Sequence, residues 1–254
     1  MATEPGAGPL LVVLPGLDGT GRRLQSFAAL IAAVLDCRIL TYPADRPAGY
    51  ADLEARLRPQ LPTDRPYALL AESFGGPLAL RLAADAPPQL RALVLVNTCV
   101  RNPYPWLPGL ALWAGLAPVK SMPRWLRARL LWDGAATGAV PRHSERATAG
   151  VPRAILRARL RSFLAVDARA ALQGLRIPVL VLRGGRDRVL PQRASRLLSS
   201  LARQGQYAEL AGPHLLLQAC PEAAAERIVA FLRQKTDLVV AGEPQKPAID
   251  PRTR

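Results

Sequence analysis

Lysine is almost missing from these 254 residues: only three of the 34 cations are lysine, and the rest are arginine. Acids are scarce as well, 19 in all, which leaves a net charge of +15. A basic surface can meet nucleic acid, anionic lipid or an acidic protein. An arginine bias also follows from a GC-rich genome, so the charge alone selects none of these. Zinc-finger spacing and an aromatic RNP-type strand are both lacking, which places nucleic acid last. Cysteine is rare too. Cys37, Cys99 and Cys220 are far apart and odd in number, which excludes a disulfide framework and a metal-ligand cluster and reads as buried thiols in a reducing compartment. No long apolar run exists near the start. MATEPGAGPLLVVLPG carries an acid where an export signal is basic, and proline breaks its apolar stretch after five residues. The expectation is therefore no exported segment, no membrane span and a cytoplasmic location. Histidine occurs twice, as His143 and His214, so any general base of that type has few candidates.

Half of the chain is hydrophobic, enough to bury a substantial core in one domain with an insertion. Short apolar runs at 10–14, 38–42, 67–72, 92–96, 179–183 and 206–210 alternate with helical patterns at about 22–35, 50–61, 74–86, 192–203 and 221–233. This rhythm predicts an α/β fold: a mostly parallel sheet of about six strands flanked by helices. The stretch between the fourth and fifth strands is too long for an ordinary crossover. A core of 1–100 and 176–233 with a helical cap at 101–175 follows. The remainder, 234–254, has proline, mixed charge and no periodicity and is expected to be a disordered tail. The cap holds all four tryptophans, Trp106, Trp113, Trp125 and Trp132, and twelve cations against three acids.

The stretch LLAESFGGP at 69–77 runs from a strand through a serine into two glycines and a helix. A nucleophile on a sharp strand-to-helix turn needs small neighbours, because the helix packs close and the turn is strained. Ala71-Glu72-Ser73-Phe74-Gly75 meets that need, with alanine in place of the first glycine of G-x-S-x-G. A serine hydroxyl also requires a base, and the base an orienting acid. His214 follows the sixth strand; Asp187 follows the fifth, with glycines before it and Pro191 after it. Both lie beyond the C-terminal edges of strands, as Ser73 does, where open parallel sheets bind ligands. Each residue has a plainer reading: Ser73 as a polar turn or helix cap, Asp187 as a cap of the next helix, His214 as a hydrogen-bonded core residue. The three together, in the order Ser, Asp, His, favour the nucleophilic one. Glu72 is expected to turn away from the site by strand alternation, Asp18 to bond a backbone N–H of its loop, and His143 to lie at the surface.

On these motifs the chain resembles serine hydrolases of the α/β-hydrolase superfamily up to about residue 233. The resemblance implies a Ser73/His214/Asp187 triad, no metal and no cofactor. LPGLDGTG at 14–21 stands where the family has its His-Gly oxyanion loop, with proline in place of the histidine. The oxyanion hole then falls to the backbone N–H groups of Leu17 and Phe74. The family's two leading strands are absent, which makes the 38–42 run a sheet edge and Arg38 a guard against edge pairing. Serine rather than aspartate at the turn argues against dehalogenase or epoxide hydrolase chemistry. What remains is cleavage of a carboxylic ester through an acyl-enzyme. Acyl transfer or C–C hydrolysis would use the same residues, and a catalytically silent binding protein would ordinarily have lost one.

The substrate reading rests on the cap. Its tryptophans are candidates for an apolar acyl pocket, or for mere glue between cap and core. Arg153, Arg157 and Arg161 recur every four residues beside Leu156, Leu160 and Leu164, a basic stripe on an amphipathic helix. Such a stripe is usually a solvated face. The cap and the 166–191 segment also resemble pimeloyl-[acyl-carrier protein] methyl ester esterases. That likeness implies an acyl-carrier-linked ester and an acidic carrier protein as partner. The LPGLDGTG opening equally resembles bacterial relatives of plant phytyl-ester acyltransferases.

Overall fold

A computed structural model describes residues 9–106, 122–132 and 150–238. Six strands form one parallel sheet: β1 Leu10–Leu14, β2 Asp36–Ile39, β3 Tyr67–Glu72, β4 Leu90–Val96, β5 Val179–Gly184 and β6 Gly205–Leu210. Their spatial order is β2-β1-β3-β4-β5-β6. Alternation along each strand feeds two apolar layers. Leu10, Val12 and Leu14 face one layer, with Leu69, Leu93 and Val181; Leu11 and Val13 face the other, with Leu70, Val94 and Leu182. The first layer is covered by α2 Tyr50–Leu57, α3 Gly75–Ala84, α6 Arg169–Gly174 and α7 Gln192–Leu201, and the second by α1 Gln25–Ala32 and α9 Pro221–Lys235. A short α8, Leu216–Ala219, precedes α9.

The insertion between β4 and β5 contributes α4 Arg124–Leu131 and α5 Arg153–Leu164 before α6. Its two ends are tied together by a bridge between Arg101 and Asp167 and by backbone bonds from Ala168 to Val100 (2.8 Å) and from Asn102 to Val166 (3.0 Å). Trp113 and His143 lie outside the described residues.

Several boundaries differ from the sequence expectation, those of β2 and α9 most usefully. β2 starts at Asp36 and ends at Ile39, although the Leu40 N–H still reaches the Val13 carbonyl at 2.9 Å. Beyond it Tyr42 leaves the sheet, because its N–H bonds Gly19 and its hydroxyl bonds Pro15. α9 continues to Lys235, and Leu238 beyond it is buried, so the first residues of the expected tail are packed. Of the cysteines, Cys99 is buried while Cys37 and Cys220 are half-buried. Arg38 stands exposed on the edge strand and donates to the Gln60 carbonyl at 2.7 Å. Among the described residues no helix is long and apolar enough to cross a membrane.

All five pairings run forward together, so β3, β4, β5 and β6 end side by side: Glu72 beside Val96, Val96 beside Leu182, Gly184 beside Leu210. α3 drops onto this edge at very short range. A Cβ on Gly75 would stand 2.8 Å from the Pro15 carbonyl oxygen, and one on Gly76 would sit 2.5 Å from Thr98 Cγ2. Backbone and a buried threonine cannot retreat far, so Gly76→Ala is expected to cost about 1–3 kcal/mol, measured as a lower urea midpoint at unchanged slope.

Candidate active site

The strand-to-helix turn holds Ser73 at φ 51°, a left-handed conformation that costs a non-glycine residue about 1 kcal/mol or more. The Ser73 N–H bonds the Val96 carbonyl at 2.9 Å and its carbonyl accepts from the Gly76 N–H at 3.1 Å and from Thr98 Oγ1 at 2.5 Å. These bonds grip the residue from β4 and from the first turn of α3. The turn lifts Oγ to within 3.0 Å of His214 Nε2.

His214 lies in the loop after β6 and is buried to 4 % exposure. Its Nδ1 is 2.9 Å from Asp187 Oδ2. Asp187 follows β5 on a tight loop whose backbone bonds Leu210 and Gly212 through the Gly185 and Arg186 N–H groups. The other carboxylate oxygen, Oδ1, accepts from the N–H groups of Val189 (2.7 Å) and Leu190 (2.9 Å). A carboxylate fixed in this way accepts from Nδ1–H, which leaves Nε2 as the acceptor facing the serine hydroxyl. Ser73, His214 and Asp187 are thus in one hydrogen-bonded line.

Asn97, at the end of β4, joins the two loops that carry the acid and the base. Its Nδ2 donates to the carbonyls of Pro213 (3.0 Å) and His214 (2.7 Å), and its Oδ1 accepts from the Gly184 N–H (2.7 Å). Sequence reasoning missed it. The available signal is a polar residue directly after the apolar LVLV of β4, fully buried, where every polar atom needs a partner.

The loop after β1 runs beside the serine: a Cβ on Gly16 would be 3.8 Å from Ser73 Cβ. Leu17 lies in this loop, and Phe74 precedes the first turn of α3. The Phe74 ring stacks on Tyr50 (centroids 4.7 Å) and its carbonyl accepts from the Tyr50 hydroxyl at 2.9 Å. Asp18 is buried and accepts from the Thr20 N–H (2.9 Å) and hydroxyl (2.6 Å), while Arg23 pairs with its second oxygen at 2.9 Å.

Glu72, the last residue of β3, is buried. It is 3 % exposed, and Oε2 accepts from Gln218 Nε2 at 3.1 Å. Burial pushes its pKa up to about 7, opposed by the Gln218 bond and by its charge interaction with His214. Its carboxylate lies in a closed interior beside the β1 loop, where a Cβ on Gly16 would be 3.8 Å from Oε2. The signal was an acid ending an otherwise apolar strand.

The cap residues divide. Trp106 and Trp125 are 49 % and 69 % exposed. Trp106 packs edge-on against Tyr104, carries the Arg193 guanidinium 3.6 Å above its ring, and lines a cavity of about 410 Å³ with Val100, Arg101, Pro105 and Leu197. Trp132 is partly buried. Arg153 and Arg161 are exposed and Arg157 is half-buried. Among the described residues no three His, Cys, Asp or Glu side chains converge as a metal site requires.

A model of the serine aminopeptidase S33 family matches residues 50–212. The chain belongs to the serine aminopeptidase S33 family. This S33 chain is 28 % identical to polyketide synthase ThaQ of Burkholderia thailandensis over 93 % of its own length and 12 % of that protein. It is 32 % identical to a pimeloyl-[acyl-carrier protein] methyl ester esterase of Neisseria meningitidis serogroup B, over 53 % of this chain and 56 % of that one. It therefore spans about half or less of the length of these curated relatives. Among solved structures, the enol-lactonase of Burkholderia xenovorans LB400 superposes with a TM-score of 0.75 at 18 % identity, covering 91 % of this chain and 94 % of that one. The S33 chain has the α/β-hydrolase fold.

Two outcomes are expected. Removing Asn97 leaves three buried backbone groups unpaired, each worth about 1–3 kcal/mol, so Asn97→Ala should unfold at markedly lower urea. Glu72 holds its proton up to about pH 7 when folded but loses it near its ordinary value of 4.5 when unfolded. Its contribution to stability is complete below pH 4.5 and is lost as pH rises to about 7, a change of roughly 3 kcal/mol at about 1.4 kcal/mol per unit. Urea titrations across pH 4.5–7.5 should show that slope in the wild type and a flatter profile in Glu72→Gln.

Proposed function

We propose that this hydrolase cleaves carboxylic esters through an acyl-enzyme on Ser73. The observation that carries the reading is the line Asp187 Oδ2 to His214 Nδ1, 2.9 Å, and His214 Nε2 to Ser73 Oγ, 3.0 Å, ending on a serine held at φ 51°. In the first half-reaction His214 takes the Ser73 proton as Oγ attacks the ester carbonyl. The tetrahedral oxyanion is received by the N–H groups of Leu17 and Phe74, the latter at the positive end of α3. Collapse expels the alcohol, which takes the proton from His214. In the second, His214 deprotonates water, which attacks the acyl-enzyme and releases the acid and Ser73. Asp187 holds the imidazole tautomer and balances the imidazolium charge throughout.

The finer substrate assignment is an ester carried on an acidic acyl-carrier protein. It is supported by the named relative from Neisseria and by Arg153 and Arg161, which stand exposed on one helix of a strongly basic chain. In this reading the carrier docks on α5 while the acyl chain reaches under the cap.

On p-nitrophenyl esters, Asp187→Asn is expected to lower kcat by roughly 10,000-fold at unchanged fold, and Ser73→Ala to reduce turnover to background. Full activity in Ser73→Ala would remove the reading. For the carrier, turnover of an acyl-carrier ester should fall steeply between 50 and 500 mM salt while that of a small neutral ester stays level, since screening shortens the reach of the cap's charge from about 14 Å to about 4 Å over that range. Equal salt responses would remove the carrier.

A further inference from the structure

The α5 helix carries an arginine that the basic stripe hides. Arg159 is 0 % exposed, and its guanidinium reaches into the β1 loop: Nη1 donates to the carbonyls of Leu17 (3.1 Å) and Asp18 (2.7 Å), and Nη2 to that of Pro43 (3.0 Å). Tyr42 lies beneath it, ring centroid 5.4 Å from the guanidinium carbon. Burying a guanidinium is costly unless its donors are engaged; here Nη1 and Nη2 bond backbone carbonyls, while Nε is buried without a partner. A group held at that cost fixes the backbone it binds.

What it fixes is the loop carrying Leu17. Four successive carbonyls are each engaged: Pro15 by the Tyr42 hydroxyl (2.7 Å), Gly16 by the Gly19 N–H (3.0 Å), Leu17 and Asp18 by Arg159. In a trans peptide the N–H points opposite the carbonyl. Anchoring the Gly16 carbonyl therefore sets the direction of the Leu17 N–H, and anchoring the carbonyls on either side keeps the loop from rotating about it. The loop also makes room for the clamp. Gly19 sits at φ 69°, and a Cβ there would be 2.6 Å from both Arg159 Nη1 and Tyr42 Cδ2.

One turn further along α5, on the same face, Phe163 packs against the Phe74 ring with centroids 6.5 Å apart. Leu17 packs on Val151, Ile155 and Leu156. A single helix of the insertion thus touches both segments that supply the proposed oxyanion donors.

We propose that Arg159 is the positioning residue of the oxyanion hole, acting through the carbonyls of Leu17 and Asp18 to hold the Leu17 N–H toward the reacting carbonyl. This rests on the Ser73 reading above. Its charge has the sign that favours the oxyanion, and its role is to act on the transition state rather than on substrate capture.

The test compares wild type with Arg159→Met and Arg159→Lys on a neutral p-nitrophenyl ester, with active sites counted by fluorophosphonate labelling of Ser73 and with an alkyl boronic acid as tetrahedral-anion probe. Losing one oxyanion donor costs roughly 100- to 1,000-fold. Misplacing it should lower kcat per labelled site by about tenfold or more in Arg159→Met, leave KM within about twofold, and weaken boronate inhibition by a similar factor. Arg159→Lys keeps the charge without the fork and should fall between. A residue that only held the cap in place would lower the melting temperature and the count of labelled sites, with kcat per site and boronate affinity at wild-type values; that result overturns the proposal. If Arg159→Met does not fold, Arg159→Lys decides: wild-type kcat and boronate affinity overturn it. A wild type that turns over no ester and takes no label at Ser73 removes the function reading and this inference with it, whereas an active, labelled wild type with insensitive Arg159 variants removes this inference alone.

Discussion

A serine in left-handed backbone geometry cannot hold itself there. At φ 51° the turn at Ser73 is upheld by contacts on every side. Val96 accepts its N–H, while Thr98 and Gly76 bond its carbonyl. Gly75 and Gly76 let α3 lie against the Pro15 carbonyl and the Thr98 side chain at distances no larger residue tolerates. The rest of the site is arranged around this one strained turn. The strain is affordable because the turn sits between β1 and β4 at the centre of a sheet with two apolar layers.

From that turn the parallel register does the remaining placement. Strands ending in step bring three loops to one edge, so Ser73, Asp187 and His214 meet although 141 residues separate the first from the last. Loops alone would be too loose for a hydrogen-bonded line. Asn97 bonds the Gly184 N–H at the root of the acid loop and the carbonyls of Pro213 and His214 in the base loop. Its own φ of 42° marks a second strained residue at the same edge. The insertion adds a further constraint from above, through Arg159 on the β1 loop and Phe163 on Phe74.

Much of this was legible in the residues. A short, continuous apolar run placed β3 at 67–72 as observed, and small residues around Ser73 announced the turn. β2 was misplaced because its last residues are recruited by the neighbouring loop, where Tyr42 hydrogen-bonds Pro15; a tertiary bond of that kind leaves no local pattern. Arg159 was lost among like charges. It lies three residues after Leu156 and four before Phe163, both buried, and so on the apolar face, a place where a guanidinium needs backbone acceptors. Glu72 was discounted by alternation, which gives a direction but not what fills the space. Exposed Trp106 and Trp125 show the same limit: composition reveals aromatic residues without saying which way they face.

The most direct measurement is a crystal structure of the protein treated with an alkyl fluorophosphonate. The account predicts a phosphorus bonded to Ser73 Oγ, with the phosphonyl oxygen about 2.7–3.1 Å from the N–H groups of both Leu17 and Phe74 and His214 still bonded to Asp187. A phosphonyl oxygen turned away from these two groups would contradict the oxyanion assignment, and an adduct on any residue other than Ser73 would contradict the account as a whole.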